Sequence, residues 1–286
     1  SVATTEREAD EADLMRRLVK KLALSVTGPL VIDTTEADVV QAALEQYPGR
    51  AIINSINMEN GRTRIENVMP LAMAHGAAVV ALTIDEDGMA KTREKKLEVA
   101  QKIHKIVTEE YGLASRDLIF DALTFPLTTG DEEFRSSAVE TIEGIRLIHE
   151  ALPEVNFTLG ISNVSFGINP AARKVVNAVF LDECIKAGLT MAIIHPSHVL
   201  PLSEILSQLR ETYCRTIGVQ FMHMDDLSVR QWLQDRLRCT ASRARAGVEA
   251  AALGDPQGGA PPQRGRGLGA IPMFALRGSP WRTVCG

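Results

Sequence analysis

Cysteine is scarce in this sequence, and the cysteines that occur are widely separated. The four residues, Cys184, Cys214, Cys239 and Cys285, form no Cys-x-x-Cys pair. This spacing indicates neither a zinc site nor a disulfide framework. We therefore expect a protein of a reducing compartment, the cytoplasm.

The sequence also lacks a net positive charge and long apolar runs. The formal net charge is -5, whereas nucleic acids and anionic membranes favour a basic partner surface. No apolar run approaches the ~20 residues that span a membrane, and the first ten residues are polar. These absences predict no nucleic-acid partner and no membrane partner, and they favour a small-molecule site.

Short apolar runs alternate with helical patterns along the first two thirds of the chain. Strands are predicted at residues 29–33, 51–54, 78–85, 118–121, 157–163 and 191–195. Helices are predicted at residues 11–24, 39–46, 66–75, 90–111 and 131–152, and again from Pro170. Continuous strands separated by helices are typical of a parallel sheet covered by helices, so the fold class is α/β. A doubly wound sheet and a (β/α)₈ barrel share this pattern.

A polar residue closes each predicted strand. The six are Asp33, Asn54, Asp85, Asp121, Asn163 and His195. In a barrel all of them would face one mouth, where barrel enzymes keep their chemistry. Asp and Asn also occur in such loops as helix caps, but Thr34 or Thr35, Asp131 and Asn169 are available for capping. The strand-end side chains are therefore candidates for ligand binding.

Six ordered blocks carry a resemblance to a known family. They are Val31-Ile-Asp-Thr-Thr-Glu36, Ile53-Asn-Ser-Ile-Asn57, Thr83-Ile-Asp-Glu-Asp-Gly-Met-Ala90, Ile119-Phe-Asp121, Gly130-Asp-Glu-Glu-Phe134 and Gly160-Ile-Ser-Asn-Val-Ser-Phe-Gly167. Through them, residues 12–201 resemble the pterin-binding (folate) domain of cobalamin-dependent methionine synthase. The resemblance implies a (β/α)₈ barrel of the TIM type that binds 5-methyltetrahydrofolate and presents its N5-methyl group to cob(I)alamin.

The resemblance also implies roles for particular residues. Asp121 matches the carboxylate that accepts the two donors on the pterin edge, and Asn163 matches the catalytic residue near N5. The remaining matches are to substrate-binding residues: Asp33 and Asn54 for the other pterin nitrogens and oxygen, Asp85 as a polar group of the pocket, and Arg173 near a family arginine. Asp85, Glu86 and Asp87 could suggest a divalent metal, but adjacent acids point in different directions, and no metal site is expected.

The sequence departs from the family at both ends. The two strands that open the family barrel do not occur, so about six βα units are expected and the barrel is expected to be incomplete. The corrinoid-binding Asp-x-His-x-x-Gly motif and the zinc-thiolate module are also absent. Cobalamin is therefore expected on a separate domain or partner protein.

The C-terminal third has a different character. Residues 204–223 and 231–234 are similar to a stretch near the amino end of the 2-oxoglutarate dehydrogenase E1 subunit, and residues 239–286 are rich in Arg, Ala, Gly and Pro. We predict a barrel domain over 1–203, a short segment of different origin over 204–238 and a disordered tail over 239–286. Two alternatives to methyl transfer stay open: an inactive fragment or chimeric gene product that keeps a partial pterin pocket, and a pterin-condensing synthase on the same barrel.

Overall fold

The computed structural model describes residues 10–127, 136–195 and 273–275 of the 286-residue chain. The helices of this part are α1 (Glu11–Leu22), α2 (Ala37–Leu44), α3 (Thr63–His75), α4 (Arg93–Lys105), α5 (Ser137–Ala151) and α6 (Pro170–Ala187). Its strands are β1 (Val31–Asp33), β2 (Ile52–Ile56), β3 (Ala78–Leu82), β4 (Ile84–Asp85), β5 (Gly88–Met89), β6 (Leu118–Asp121), β7 (Asn156–Thr158), β8 (Met191–Ile193) and β9 (Met273–Ala275).

The main sheet is parallel, in the order β1-β2-β3-β6-β7. A parallel bridge between Gly160 and Ile193 adds β8 beside β7, and the Ile193 N–H donates to the Leu159 carbonyl at 2.9 Å. Six parallel strands are thus joined through helical connections in the described part of the chain. This confirms the predicted α/β class and the number of βα units.

Two apolar layers lie on opposite faces of the sheet. Residues at alternate strand positions, such as Ile53, Val79 and Phe120, pack in the large core beneath the helices. The intervening positions form a smaller group, here called the inner cluster: Ile52, Ala78, Val80, Ile119 and Met191. Because the inner cluster joins side chains from β2, β3, β6 and β8, the sheet curls towards its own inner face. This is the geometry of a barrel rather than of an open, doubly wound sheet.

Local sequence signals explain where several helices begin and end. The Asp10 carboxylate caps α1 by accepting the Asp13 N–H at 3.0 Å, and the Thr92 hydroxyl caps α4 by accepting the Lys95 N–H. Pro170 is the first residue of α6, as predicted, where a missing N–H costs nothing. Gly76 ends α3 in the left-handed conformation, with φ of 61°.

Two predicted strands give way to other secondary structure before their predicted ends. The strand predicted over 78–85 breaks at Thr83, and Ile84–Asp85 then pairs with Gly88–Met89 in an antiparallel hairpin. Gly88, with φ of 100°, supplies the conformation that this tight turn requires. The strand predicted over 157–163 ends at Thr158, and a 3₁₀ helix occupies Ile161–Ser165. Its small polar residues bond locally, since the Ser165 hydroxyl donates to the Ser162 carbonyl at 3.2 Å.

The α5 helix also differs from its prediction, since it begins at Ser137, and the proposed cap Asp131 lies outside the described residues. Within the tail predicted to be disordered, β9 pairs antiparallel with β8. The rest of 204–286 lies outside the described residues, so the proposed domain boundaries stay a prediction. No helix in the described part is long and apolar enough to cross a membrane.

Candidate functional site at the carboxyl ends of the strands

Three of the predicted site residues lie on the inner face of the sheet. Asp33, Asn54 and Asp121 each stand two positions beyond a residue that forms or packs against the inner cluster, namely Val31, Ile52 and Ile119. Side chains two positions apart on a strand share a face. Asp33 is also in register with Asn54. The carboxyl ends of β1, β2 and β6 therefore bring two carboxylates and an amide to one mouth.

A cleft of about 520 Å³ opens between the loop that follows β1 and the loop that follows β2, and it is here called the β1–β2 cleft. Its lining is rich in carboxylates and amides, including Glu11, Asp33, Glu36, Asn54, Asn57 and Asn60. The Asn54 amide donates to Asp33 Oδ1 at 3.4 Å. Because the amide nitrogen of Asn54 is bonded to Asp33, the side-chain carbonyl oxygen of Asn54 can accept a hydrogen bond from a ligand. The cleft thus suits a heterocycle with several N–H groups.

Arg64 on α3 fixes the backbone of the β1–β2 cleft. Its guanidinium donates to the carbonyls of Thr34 at 2.8 Å, Thr35 at 2.5 Å and Ser55 at 3.0 Å. Burial lowers the pKa of Arg64 from its usual value. Sequence reasoning missed this residue, because an arginine in the first turn of a helix is indistinguishable from a solvated one.

Asp121 is more enclosed than Asp33. Burial raises the pKa of Asp121 to about 6, although the Leu123 N–H and the charge of Lys96 act in the opposite direction. The Leu123 N–H donates to Asp121 Oδ1 at 2.8 Å. Leu123 has φ of 57°, a left-handed conformation that costs a branched residue roughly 1–3 kcal/mol. We call residues 121–123 the Asp121 turn. Its strained backbone is held by hydrogen bonds on both sides of Leu123.

Lys96 is one of these holding groups. Its side chain is fully buried, and its ammonium donates to the carbonyls of Ala90 at 2.9 Å, Ala122 at 2.5 Å and Leu123 at 3.3 Å. Burial lowers the pKa of Lys96 to about 8, against the effects of Asp121 and Glu140. The sequence does contain a signal for Lys96, because it lies at helical spacing with the buried residues Val99, Ala100 and Ile103.

Asn163 lies in a different setting from the one predicted, and Arg173 contacts the same 3₁₀ helix. Asn163 is an exposed residue of the 3₁₀ helix rather than the last residue of a strand. Its amide nitrogen lies 2.9 Å from the position that a Cβ atom on Gly160 would occupy. Arg173 donates from Nε to the Ser165 hydroxyl at 3.2 Å. Arg173 thereby ties the first turn of α6 to the segment that carries Asn163.

Asp85 is not among the residues that line the β1–β2 cleft. Its carboxylate is only 2% exposed, pairs with the Lys95 ammonium at 2.8 Å and accepts the Asp87 N–H at 3.1 Å. Hydrogen bonds to Asp85 and then Asp87 hold the pKa of Lys95 above its usual range. A role for Asp85 in substrate binding therefore stays a prediction. The described residues contain no group of three or more His, Cys, Asp or Glu side chains that could hold a metal ion.

Comparison with known proteins places this geometry in a family. The chain is 48% identical over 199 residues to the methionine synthase of Mycobacterium tuberculosis, covering 68% of this chain and 17% of that protein. It is 47% identical over 200 residues to the methionine synthase of Mycobacterium leprae, again spanning 17% of the relative. A Yersinia pestis dihydropteroate synthase in a sulfonamide drug complex shares the fold, with a TM-score of 0.50 and 15% identity over 72% of this chain and 76% of that one. Residues 1–195 match the family described as pterin binding enzymes, and this chain belongs to that family.

Proposed function

We propose that this chain binds 5-methyltetrahydrofolate and presents its N5-methyl group for transfer to cob(I)alamin held by a separate domain or partner protein. The observation that carries the proposal is the placement of Asp33, Asn54 and Asp121 on one inner face at the carboxyl ends of their strands. The similar proteins are named methionine synthases, and the chain spans about a sixth of their length, 17%.

Asp121 is the proposed anchor for the pterin edge. That edge presents a ring N–H beside an exocyclic amine, and one carboxylate can accept both donors. Although Oδ1 already accepts the Leu123 N–H, each carboxylate oxygen has a second lone pair. With a pKa of about 6, Asp121 is ionised at neutral pH, so its contacts to the pterin are charge-assisted.

The other substrate-binding roles divide between the two sides of the mouth. Asp33 and Asn54 line the β1–β2 cleft and supply acceptors for the remaining polar atoms of the pterin. Arg173 acts through Ser165 on the segment that bears Asn163. Asp85 is proposed to be a polar group of the pocket, and its carboxylate forms an ion pair with Lys95.

Asn163 is the proposed catalytic residue. Removing the methyl group from N5 expels a poor nitrogen leaving group, which has to gain a proton or a strong hydrogen bond as the C–N bond breaks. The Asn163 amide can donate such a hydrogen bond. Because that interaction strengthens in the transition state, it accelerates transfer more than it strengthens binding.

The methyl acceptor is proposed to be held outside this chain. The sequence contains no Asp-x-His-x-x-Gly motif, so the methyl acceptor has to arrive on another domain or protein. The corrinoid supplies the nucleophile that takes the methyl group, while this chain binds the folate and stabilises the departing nitrogen.

Calorimetric titration of the full chain with 5-methyltetrahydrofolate is the first test. Saturable binding supports the proposal, whereas no binding at millimolar ligand would favour the inactive-fragment alternative.

The role of Asn163 is tested by single-turnover transfer to added cob(I)alamin, measured beside equilibrium binding. Asn163→Ala is expected to slow transfer on the order of 10²-fold, with a loss of only ~1 kcal/mol in binding. Gln101→Ala, an exposed amide on α4, is the matched control. A large loss of affinity with an unchanged transfer rate would make Asn163 a binding residue only.

A further inference from the structure

Lys96 is a buried cation that the proposed reaction does not use. The three hydrogen bonds of its ammonium reach two separate loops, one at Ala90 before α4 and one at Ala122 and Leu123 after β6. An ammonium group has three donors, and here all of them are directed to backbone carbonyls. The ammonium also lies 5.5 Å from the centre of the Phe125 ring. A lysine held in this way acts as a fixed cross-link between loops.

The fold makes room for the Lys96 side chain at one position on α5. A Cβ atom on Gly144 would lie 2.6 Å from the Lys96 Cδ atom. Glycine is unfavourable within a helix by roughly 1 kcal/mol relative to alanine, yet here it lets the lysine stem cross the helix surface. The path of Lys96 is therefore set by packing as well as by its hydrogen bonds.

The carbonyls that Lys96 binds belong to the turn that carries Asp121. Leu123 donates its N–H to the Asp121 carboxylate at 2.8 Å, while its carbonyl accepts from Lys96 and from the Thr141 hydroxyl. Its left-handed backbone, with φ of 57°, requires such support from its surroundings. Moving Lys96 would thus remove one of the two donors that hold the Leu123 carbonyl, and with it part of the support for the N–H that orients the carboxylate.

We infer that Lys96 is a positioning residue for the pterin site: its ammonium fixes the Asp121 turn and places a positive charge beside the Asp121 carboxylate. The inference rests on the proposed pterin-binding function. Lys96 does not touch the substrate in this scheme. It acts through the orientation and the ionisation of Asp121.

Two carboxylates act on the Lys96 charge. One is Glu140 on α5, which is already paired with Arg93 at 2.6 Å, and the other is Asp121 on β6. Burial sets the pKa of Asp121 to about 6 and that of Lys96 to about 8. Between these values both groups are charged and attract each other. Without the lysine charge, Asp121 would hold its proton to a higher pH.

The direct test needs no ligand. Carbon-13 NMR of the Asp121 carboxyl group in the full chain is expected to show a main titration step near pH 6 and a smaller inflection near pH 8, where Lys96 loses its proton. In Lys96→Met the main step should move up by about one pH unit and the smaller inflection should vanish. Lys105→Met removes the same charge from an exposed position on α4 and should leave both features unchanged.

The same variants are then titrated with 5-methyltetrahydrofolate across pH 5 to 8. The acid limb of binding is expected to follow the Asp121 step, so that Lys96→Met binds about fivefold more weakly near pH 6 and recovers as the pH rises. A lysine with only a structural role would lower affinity equally at every pH. Gly144→Ala, which keeps the charge but displaces its stem, should weaken binding without removing the inflection near pH 8.

The outcomes separate the two proposals. An Asp121 titration identical in wild type and Lys96→Met would overturn the inference even if the folate binds well. If Lys96→Met does not fold, the inflection near pH 8 in the wild-type chain decides the matter, and its absence overturns the inference. If the wild-type chain binds no folate, the proposed function fails, while the carboxyl titration still tests the link between Lys96 and Asp121.

Discussion

The two sides of the barrel mouth hold their carboxylates in different ways. On the β1–β2 side, Asp33 is exposed and contacts Asn54, while the cation of that side, Arg64, binds backbone carbonyls and interacts with the charge of Glu36. On the β6 side, Asp121 is partly enclosed, and the cation Lys96 both binds the adjoining backbone and acts on the carboxylate. One side is arranged around an exposed acid, the other around an enclosed one.

This difference predicts an unequal division of binding energy. A hydrogen bond to an exposed carboxylate competes with water and is screened, whereas the same bond to an enclosed carboxylate is stronger. The enclosed group also costs more to keep charged in the free protein, as the pKa of Asp121 near 6 shows. We therefore expect the β6 side to contribute most of the affinity for the pterin and to lower the stability of the free protein. The β1–β2 side is expected to contribute mainly to the shape of the pocket.

The largest expected effect is on folate binding by Asp121→Asn. An amide accepts at only one atom and sets its own donors against those of the pterin, so the loss should be roughly 2–4 kcal/mol. Calorimetry with 5-methyltetrahydrofolate at pH 7 measures it. Asp33→Asn on the exposed side is the matched change and should cost about 1 kcal/mol or less. Equal losses at the two positions would remove the proposed distinction.

The second prediction concerns Arg64, the cation on the β1–β2 side of the mouth. Arg64→Met removes the donors that bind Thr34, Thr35 and Ser55, and the partly buried carbonyls lose their partners. The free energy of unfolding should fall by about 2 kcal/mol, measured by urea denaturation. Arg146→Met is the control, since Arg146 is an exposed residue that pairs with Glu143 on its own helix. Its expected effect is below ~0.5 kcal/mol, and a similar loss in both variants would contradict the role given to Arg64.

The sequence could predict most of this fold because its strands are short, continuous apolar runs. Their order, the helices between them and the positions of Asp33, Asn54 and Asp121 were readable from local pattern, whereas those of Asp85 and Asn163 were not. The division into inner and outer faces was not, since both neighbours in a run such as Ile52-Ile53 are apolar. Only pairing with adjacent strands decides which of the two joins the inner cluster.

Some residues of the candidate site could likewise be predicted from the sequence, and others could not. Asp33, Asn54 and Asp121 follow apolar runs and could be found, whereas Arg64 and Lys96 bind backbone carbonyls that are distant in sequence. A strand was predicted over 157–163 because the segment from Thr158 to Ile161 is as apolar as a strand. The strand ends earlier in the structure because Ser162 and Ser165 form a local hydrogen bond. Side chains that compete for the backbone are a weaker signal than apolar periodicity.

The third prediction concerns the stability cost of the enclosed acid. Because the folded pKa of Asp121 is raised from 3.8 to about 6, its charge lowers stability above pH 6, and this penalty disappears as pH falls through 6 towards 3.8. Asp121→Asn should therefore raise the free energy of unfolding by about 1 kcal/mol at pH 7, less than the full shift implies because the group is partly exposed. Urea denaturation at pH 7 and pH 4 measures it. The gain should vanish at pH 4, and a variant less stable than wild type at pH 7 would contradict it.

The smallest expected effect is at Gly160, where the chain passes beneath the Asn163 amide. Gly160 has φ of -75°, which alanine adopts freely, so Gly160→Ala should change the free energy of unfolding by less than ~0.5 kcal/mol. The new Cβ atom would lie 2.9 Å from the Asn163 amide nitrogen, which has to move by a few tenths of an ångström. That displacement should slow single-turnover transfer to cob(I)alamin by roughly two- to fivefold, the equivalent of weakening one hydrogen bond by ~0.5–1 kcal/mol. If the effect passes through the amide, Gly160→Ala should cause no further loss when added to Asn163→Ala. An equal loss in both backgrounds would show that Gly160 acts on the site by another route, and would remove the contact with Asn163 from the account of the loop.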